Sequence, residues 1–380
     1  MNIFIKNDII NIMNKQIYAD RMEKIQKAMM KEGIDVYMAG PSANLYYLTG
    51  YDVDPDERMF LLVLPKNGEP LIVANLLYKG QAIALPVKKQ VYWRDGDDPF
   101  VFLKSNISML NIKMNTAALE PHIPSFISLP LQEVFNETRF LLGDSLTAPI
   151  RQVKDDNEID LIRTACQKSD AALSTLIQRG SSWLGKTEID FYKELSAEFS
   201  KNDMTSFGAS VQVGENAYIP HYITGTAQIK KGACLLVDFW GRNNGYFTDC
   251  TRTFHFGEPS EEFKKVYAIV LEAHYAACEK ARAGNTLEDV DIAARSIIKK
   301  YGYGDNFTHR TGHGIGIDIH EGDSVNTGVN VPITPGMVFS VEPGIYLNGR
   351  FGVRIENLVA IRENSTEVLH KFPMELQVIE

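Results

Sequence analysis

The sequence predicts an α+β protein of two domains, and three observations carry that expectation. The chain has 380 residues, enough for two separate cores. A polar, proline-containing stretch, Leu146-Thr-Ala-Pro-Ile-Arg-Gln-Val-Lys-Asp-Asp-Asn157, reads as a linker between residues 1–150 and a second domain over 155–380. Beyond it, helical patterns at 157–179, 260–284 and 286–301 are segregated from strand-rich regions at 233–256 and 337–361.

Taken in order, residues 1 to about 15 read as a loose extension, with Met13 as the alternative biological start. Residues 18–33 form an amphipathic pattern, with Tyr18, Met22, Ile25 and Met29 on one face and Gly33 as C-cap. Strand-like runs follow at 35–39, 59–64, 71–74 and 90–93, separated by Gly, Pro and Asn, so the first domain is expected to be a small mixed α/β unit. In the helix at 157–179 the stripe is Ile159, Ile162, Cys166, Leu173, Leu176 and Ile177, ended by Gly180. The helix at 286–301 opens with Thr286-Leu-Glu-Asp289, a capping box with Asp in place of Glu. Residues 337–341 and 352–361 are near-continuous apolar runs expected as strands.

Composition narrows the function classes. Hydrophobic content of 44% with 23% charged residues is that of a soluble globular protein. The net charge of −9 argues against a nucleic-acid binder, which needs a basic face. No run approaches the length of a membrane span. Lys6 and Asp8 interrupt the first apolar stretch and no small-residue cleavage site follows, so no secretory leader is expected. Cys166, Cys234, Cys250 and Cys278 have no Cys-x-x-Cys spacing, which suits reduced thiols and a cytoplasmic setting.

Five residues stand out: Asp238, Asp249, His313, Glu342 and Glu356. Asp238 ends the apolar run 233–237, Asp249 lies in Phe247-Thr-Asp-Cys-Thr-Arg-Thr253, and His313 in Thr311-Gly-His-Gly-Ile-Gly316. Glu342 closes an apolar strand at Ser340-Val-Glu-Pro-Gly344, and Glu356 lies in Val353-Arg-Ile-Glu-Asn357. Carboxylates on apolar strands are costly without compensation. Asn243-Asn-Gly245 allows a hairpin with either a four-residue loop, facing Asp238 to Asp249, or a two-residue Asn-Gly loop, facing Asp238 to Thr251. Both registers put the two carboxylates on one face, where they would repel unless a cation lay between them. Arg354 and Glu356 share a face by the same period of two. Gly312 and Gly314 would let the backbone around His313 approach closely whatever it binds. Taken singly, an Asp in a strand is more often a turn or edge residue, and a His between glycines is usually bland. Gly312-His-Gly-Ile-Gly316 lacks the spacing of a dinucleotide loop. The joint occurrence of five such sites is what points to a metal centre.

The set, in this order and context, resembles the pita-bread metallopeptidases: methionine aminopeptidases, aminopeptidases P, prolidases and their inactive relatives. The resemblance covers about residues 155–375. Arg21, Gly33-Ile-Asp35 and Asn44-Leu-Tyr-Tyr-Leu-Thr-Gly50 resemble, more weakly, a creatinase-type N-terminal domain, which favours the prolidase and aminopeptidase P branch. The resemblance implies an antiparallel pita-bread sheet covered by helices, preceded by the smaller domain. It implies two divalent ions held by Asp238, Asp249, His313, Glu342 and Glu356, with Asp249 and Glu356 shared between them. A donor set rich in carboxylate oxygen favours Mn²⁺, with Co²⁺ or Zn²⁺ as alternatives. It implies Glu342 as the proton-transferring residue, His221 and His320 as catalytic and substrate-facing histidines, and His309 and Arg354 as further substrate-binding groups. His122, His255, His274 and His370 have no such context and read as structural.

Two departures bear on substrate details: Phe239-Trp-Gly241 follows Asp238 where small residues are usual, and Asn357 stands where Asp commonly follows the last glutamate. The implied activity is hydrolysis of Xaa-Pro bonds in small peptides, as a dipeptidase (prolidase) or an Xaa-Pro aminopeptidase. A basic anchor such as Arg354 or Arg310 would serve the former by holding the free carboxylate. A catalytically inactive pita-bread binding protein is the reading from another class, disfavoured because all five ligand positions are kept. A homodimer is the family expectation.

Overall fold

The computed structural model describes residues 15–54 and 56–380. The expected extension lies outside the described residues except for Lys15, which opens the first helix. The chain divides into two compact units at Ile150/Arg151.

In the first unit the helix Lys15–Glu32 buries Tyr18, Met22, Ile25 and Met29, and Gly33 closes it at φ 71°. A mixed six-stranded sheet follows: β1 (Val36–Ala39), β2 (Leu61–Pro65), β3 (Leu71–Asn75), β4 (Lys89–Trp93), β5 (Thr116–Leu119) and β6 (Arg139–Leu142), in the order β4-β3-β2-β1-β5-β6. Val36, Met38, Leu61, Val63, Leu71 and Val73 pack on Leu103, Ile107, Ile127 and Leu131 of two helices. Strands β5 and β6 were not among the expected runs. They are four residues each, and their sequences, Thr-Ala-Ala-Leu and Arg-Phe-Leu-Leu, carry no alternation.

In the second unit the helices Asp156–Ile177, Glu261–Lys280 and Leu287–Lys300 match the expected patterns within a few residues. Thr286 and Asp289 do form a reciprocal capping box, as Asp155 and Glu158 do at the first of these helices. The main sheet contains β7 (Thr205–Val213), β8 (Cys234–Asn243), β9 (Tyr246–Phe256) and, at its far edge, β17 (Gln377–Ile379), in the order β17-β9-β8-β7. Smaller pairings join β10 (Gly312–His313) to β11 (Ser324–Val325), β12 (Val338–Val341) to β15 (Asn357–Ile361), β13 (Gly344–Leu347) to β14 (Phe351–Arg354), and β15 to β16 (Thr366–Val368).

Strand alternation decides where polarity goes. Val237 and Phe239 of β8 and Cys250 and Phe254 of β9 pack with Leu173, Leu176, Phe191 and Phe199 on the helices Asp156–Ile177 and Glu188–Lys201. Asp238, Trp240, Asp249 and Thr251 therefore point to the opposite face, toward β14 and β15. A second core joins Val266, Val270 and Ala273 of the helix Glu261–Lys280 to Val341, Ile355 and Val359.

Two expectations are corrected. The stretch 146–157 is not an open linker: a helix spans Asp144–Gln152, Lys154 N donates to Gly336 O at 2.8 Å, and Asp155 caps the next helix. Its polar residues are engaged in ion pairs. Arg151 binds Asp318 at 2.9 Å and Glu321, and Lys154 Nζ binds Glu321 at 2.7 Å. The run 352–361 is also not one strand. It changes partner at Ile355-Glu356, leaving β13 and joining β12.

Burial pushes the Glu321 carboxyl up, but Lys154 and Arg151 outweigh that and hold it at about 2, against an ordinary 4.5. A depressed carboxyl contributes stability above the unfolded value and loses it as pH falls through the folded one. Glu321→Gln is expected to cost about 3 kcal/mol at neutral pH, since it leaves buried cations unpaired. The gap between wild type and variant in urea-unfolding midpoint should shrink as pH falls below 4.5 toward 2.

Candidate metal centre

The β8–β9 hairpin adopts the second of the two registers. Asn243 faces Tyr246, and the two-residue loop Asn244-Gly245 has φ 48° and 88°, the primed-turn geometry that Asn-Gly favours. Asp238 faces Thr251 and Asp249 faces Trp240, so the two carboxylates lie diagonally on one face. The glycines around His313 serve a purpose other than the expected one. A Cβ on Gly312 would lie 1.9 Å from Ser340 O, and one on Gly314 would lie 2.1 Å from Glu321 O. They let β10 nest between two protein backbones, which is how the imidazole reaches the carboxylates.

Asp249, His313 and Glu356 bring ligand atoms within 4.8 Å of one another, all buried. His313 Nε2 is 3.7 Å from Asp249 Oδ2 and 3.4 Å from Glu342 Oε1. Nδ1 of His313 donates to Gly314 O at 3.1 Å, which leaves the lone pair of Nε2 facing those oxygens. Burial, then the neighbouring His320, lowers the His313 pKa to about 3, so the ring is neutral. Burial and the charges of Glu356, Asp238 and Glu342 raise the Asp249 carboxyl well above its ordinary range. Burial and Glu356 do the same for Glu342, and burial with Asp238 raises Glu356 to about 7. Asp249 Oδ1 and Glu356 Oε1 are buried and make no hydrogen bond. A neutral imidazole nitrogen facing crowded carboxylates, and two buried carboxylate oxygens with no hydrogen bond, fit a divalent cation, which would displace the protons these acids otherwise hold.

Asp238 stands slightly apart. Its Oδ2 pairs with Arg354 Nη2 at 2.8 Å, while its charge acts on Asp249, Glu342 and Glu356. Arg354 is buried and each of its three nitrogens has a protein partner: Nη1 on Tyr346 Oη at 2.9 Å, Nε on Thr251 Oγ1 at 2.9 Å, Nη2 on Asp238 at 2.8 Å. Thr251 Oγ1 in turn donates to Glu356 Oε2 at 2.7 Å. Tyr346 Oη donates to His309 Nε2 at 2.7 Å, His309 Nδ1 being bound to Arg310 O. Arg354 thus holds two acids of the centre in place instead of reaching out to a ligand, and His309 is locked neutral, its pKa lowered to about 3 by burial and then Arg354.

His320 is exposed and its ring packs edge-on against His313, with centroids 4.1 Å apart. His221 is exposed and its charge is felt at both His309 and His320. Trp240 does not pack beneath the sheet. Its ring crosses Gly208 on β7, where a Cβ would lie 2.3 Å from Cζ2, so it walls the carboxylate face. Asn357 is buried between Arg252 Nη2, which donates to its Oδ1 at 2.8 Å, and a His274 kept neutral by burial. His370, read as structural from the sequence, has a structural role whose partners the sequence did not reveal. Its Nδ1 meets Asp170 Oδ1 at 2.7 Å and its Nε2 donates to Asp249 O at 2.9 Å, so this buried pair braces the backbone of a central acid. No local pattern around His370 or Asp170 marks it, because the two lie 200 residues apart.

Proton linkage gives a test. A carboxyl raised from 4.5 to about 7 in the folded chain contributes stability at low pH and loses it as pH rises through 7. A cation at the centre displaces these protons. Titration calorimetry in buffers of different ionisation enthalpy should show proton release with Mn²⁺. The Mn²⁺-induced rise in Tm should grow between about pH 5.5 and about pH 8, and a pH-independent rise would contradict the linkage.

Comparison with known proteins agrees with this geometry. Residues 160–363 match the model of metallopeptidase family M24, and residues 21–153 match the creatinase/prolidase N-terminal domain. The chain is similar to the crystal structure of recombinant prolidase from Thermococcus sibiricus (TM-score 0.90, 34% identity, 95% of this chain and 99% of that one). It is also similar to dipeptidase PepE from Mycobacterium ulcerans (0.88, 30%, 97% and 99%) and to Xaa-Pro dipeptidase from Bacillus anthracis (0.87, 28%, 95% and 99%). With its helix-covered sheets, its creatinase-like first unit and its buried acid cluster around His313, the chain belongs to metallopeptidase family M24.

Proposed function

We propose that the protein is an Xaa-Pro dipeptidase working with a pair of divalent ions, Mn²⁺ first among them, held by Asp238, Asp249, His313, Glu342 and Glu356. The observation that carries this reading is the pair of bare buried oxygens, Asp249 Oδ1 and Glu356 Oε1, inside a set of four acids around a neutral His313. The matched prolidase and Xaa-Pro dipeptidase support the substrate class. Divalent ions bound here supply Lewis acidity, activating water and polarising a peptide carbonyl.

The chain's own residues do the rest. Glu342 is half-buried, accepts from Ser340 Oγ at 3.1 Å, and has a raised affinity for a proton. Standing beside His313 with one oxygen toward its Nε2, it is placed to take the proton from water and deliver it to the departing proline nitrogen. His320, exposed beside His313, and His221 present imidazoles to the scissile carbonyl. His309, fixed by Tyr346 and Arg310 O, walls the pocket for the proline ring. Arg354 acts through Asp238 and Glu356 as a positioning residue.

Small peptides with proline after the scissile bond are the substrates on this reading, in a cytoplasmic homodimer. The four cysteines are free, and no helix among the described residues is long and apolar enough to cross a membrane.

The test is a Mn²⁺-supplemented assay comparing Xaa-Pro dipeptides with Xaa-Pro-Yaa tripeptides. Dipeptide cleavage alone is expected, and preferred cleavage of the tripeptide would transfer the chain to the aminopeptidases. Glu342→Gln should lower kcat by about 100-fold or more. A variant that folds, holds metal and turns over at the wild-type rate would remove Glu342 from its role.

A further inference from the structure

A dipeptidase must tell a free carboxylate from the amide of a longer chain, and a side-chain cation at the edge of the centre is the direct means. Arg354 is the weaker candidate: it is buried, its charge is paired with Asp238, and each of its nitrogens already has a protein partner in Tyr346, Thr251 or Asp238. Arg310 differs on each count. It is half-buried, and among the described residues its side chain binds Ser324 Oγ at 2.8 Å and has no carboxylate partner. Ser324 lies directly opposite His313 in the β10–β11 pair, so its hydroxyl projects on the same face as the imidazole of the metal centre. A guanidinium tethered there stands beside His313 and His320, and its charge acts on both rings.

We propose that Arg310 is the anchor for the substrate's free α-carboxylate. The inference rests on the dipeptidase reading and deepens it. The leaving nitrogen and the carboxylate of a dipeptide belong to one residue, so the anchor must adjoin the groups facing the scissile bond, and Arg310 does. Tethering Ser324 uses one of a guanidinium's several N–H donors, and the planar fork that remains matches a carboxylate. A half-buried arginine without an acid partner, at the rim of an acid-rich centre, is otherwise left unexplained. The bland alternative, that Arg310 only fastens the β11 strand, predicts no dependence on the substrate's terminal charge.

The experiment compares kcat/KM for an Xaa-Pro dipeptide with that for its C-terminal amide, in the Mn²⁺-loaded wild type, Arg310→Ala and Arg310→Lys. Because the readout is a ratio within one protein, any loss of folded or loaded enzyme cancels. Wild type is expected to prefer the acid by about 30-fold or more. Arg310→Ala should collapse that ratio toward one, chiefly through KM, and Arg310→Lys should keep part of it. An unchanged ratio in Arg310→Ala overturns the anchor, as does a wild type indifferent to acid and amide. Should wild type cleave dipeptides without regard to proline, the proline reading fails on its own, and the acid-to-amide ratio still decides the role of Arg310.

Discussion

Asp249, Glu342 and Glu356 crowd a neutral imidazole in a place nearly closed to water, and as bare carboxylates they repel one another. Burial alone raises each carboxyl, and their mutual repulsion raises them further. Protonation would relieve the repulsion but leave Asp249 Oδ1 and Glu356 Oε1 without donors. A cation resolves both conflicts at once, since it needs the bare oxygens and the unprotonated Nε2. The fold around the site is best understood as whatever holds this mutually repelling set of acids together.

That holding is done from three sides. Beneath, β8 and β9 turn their apolar residues to the helices Asp156–Ile177 and Glu188–Lys201, which obliges the alternate residues, Asp238 and Asp249, to face the centre. From the side, Arg354 ties Asp238 directly and Glu356 through Thr251, and its contact with Tyr346 extends the same chain to His309. From above, the His313–His320 segment is fixed by glycines that meet the Ser340 and Glu321 backbones and by the Glu321 carboxylate clamped to Lys154 and Arg151. Removing one partner of such buried pairs costs more than the pair itself contributes. The rigidity is therefore tied to completeness.

Much of this was legible in the chain because it is encoded locally. The five ligand positions each sit in a short pattern, and strand alternation requires Asp238 and Asp249 to share a face in either hairpin register. The capping box at Thr286 and the stripe of the first helix are local too. What escaped is long-range. The stretch around Arg151 and Lys154 looks like a linker until Glu321 supplies the countercharge from 170 residues away. His370 looks idle until Asp170 and the Asp249 carbonyl are brought to it. Arg354 read as a substrate group because its spacing from Glu356 shows which face it takes, but not that Tyr346, Thr251 and Asp238 each bind one of its nitrogens.

Charge balance supports the pair of ions proposed above. Asp238, Asp249, Glu342 and Glu356 bring four negative charges, and Arg354 is the cation built directly among them. His313 contributes none, because burial keeps it neutral. Three charges then remain to be met in a low-dielectric place, where an unmet charge is expensive. A single divalent ion leaves the centre negative, which would repel both the carbonyl oxygen of a substrate and the negative charge that develops on it. A pair leaves it slightly positive, the sign that hydrolysis requires. Arg354 is what tunes this outcome. Without its guanidinium two ions would only reach neutrality, and with it the acids can be numerous enough to hold the ions yet not so numerous as to cancel their effect on the substrate.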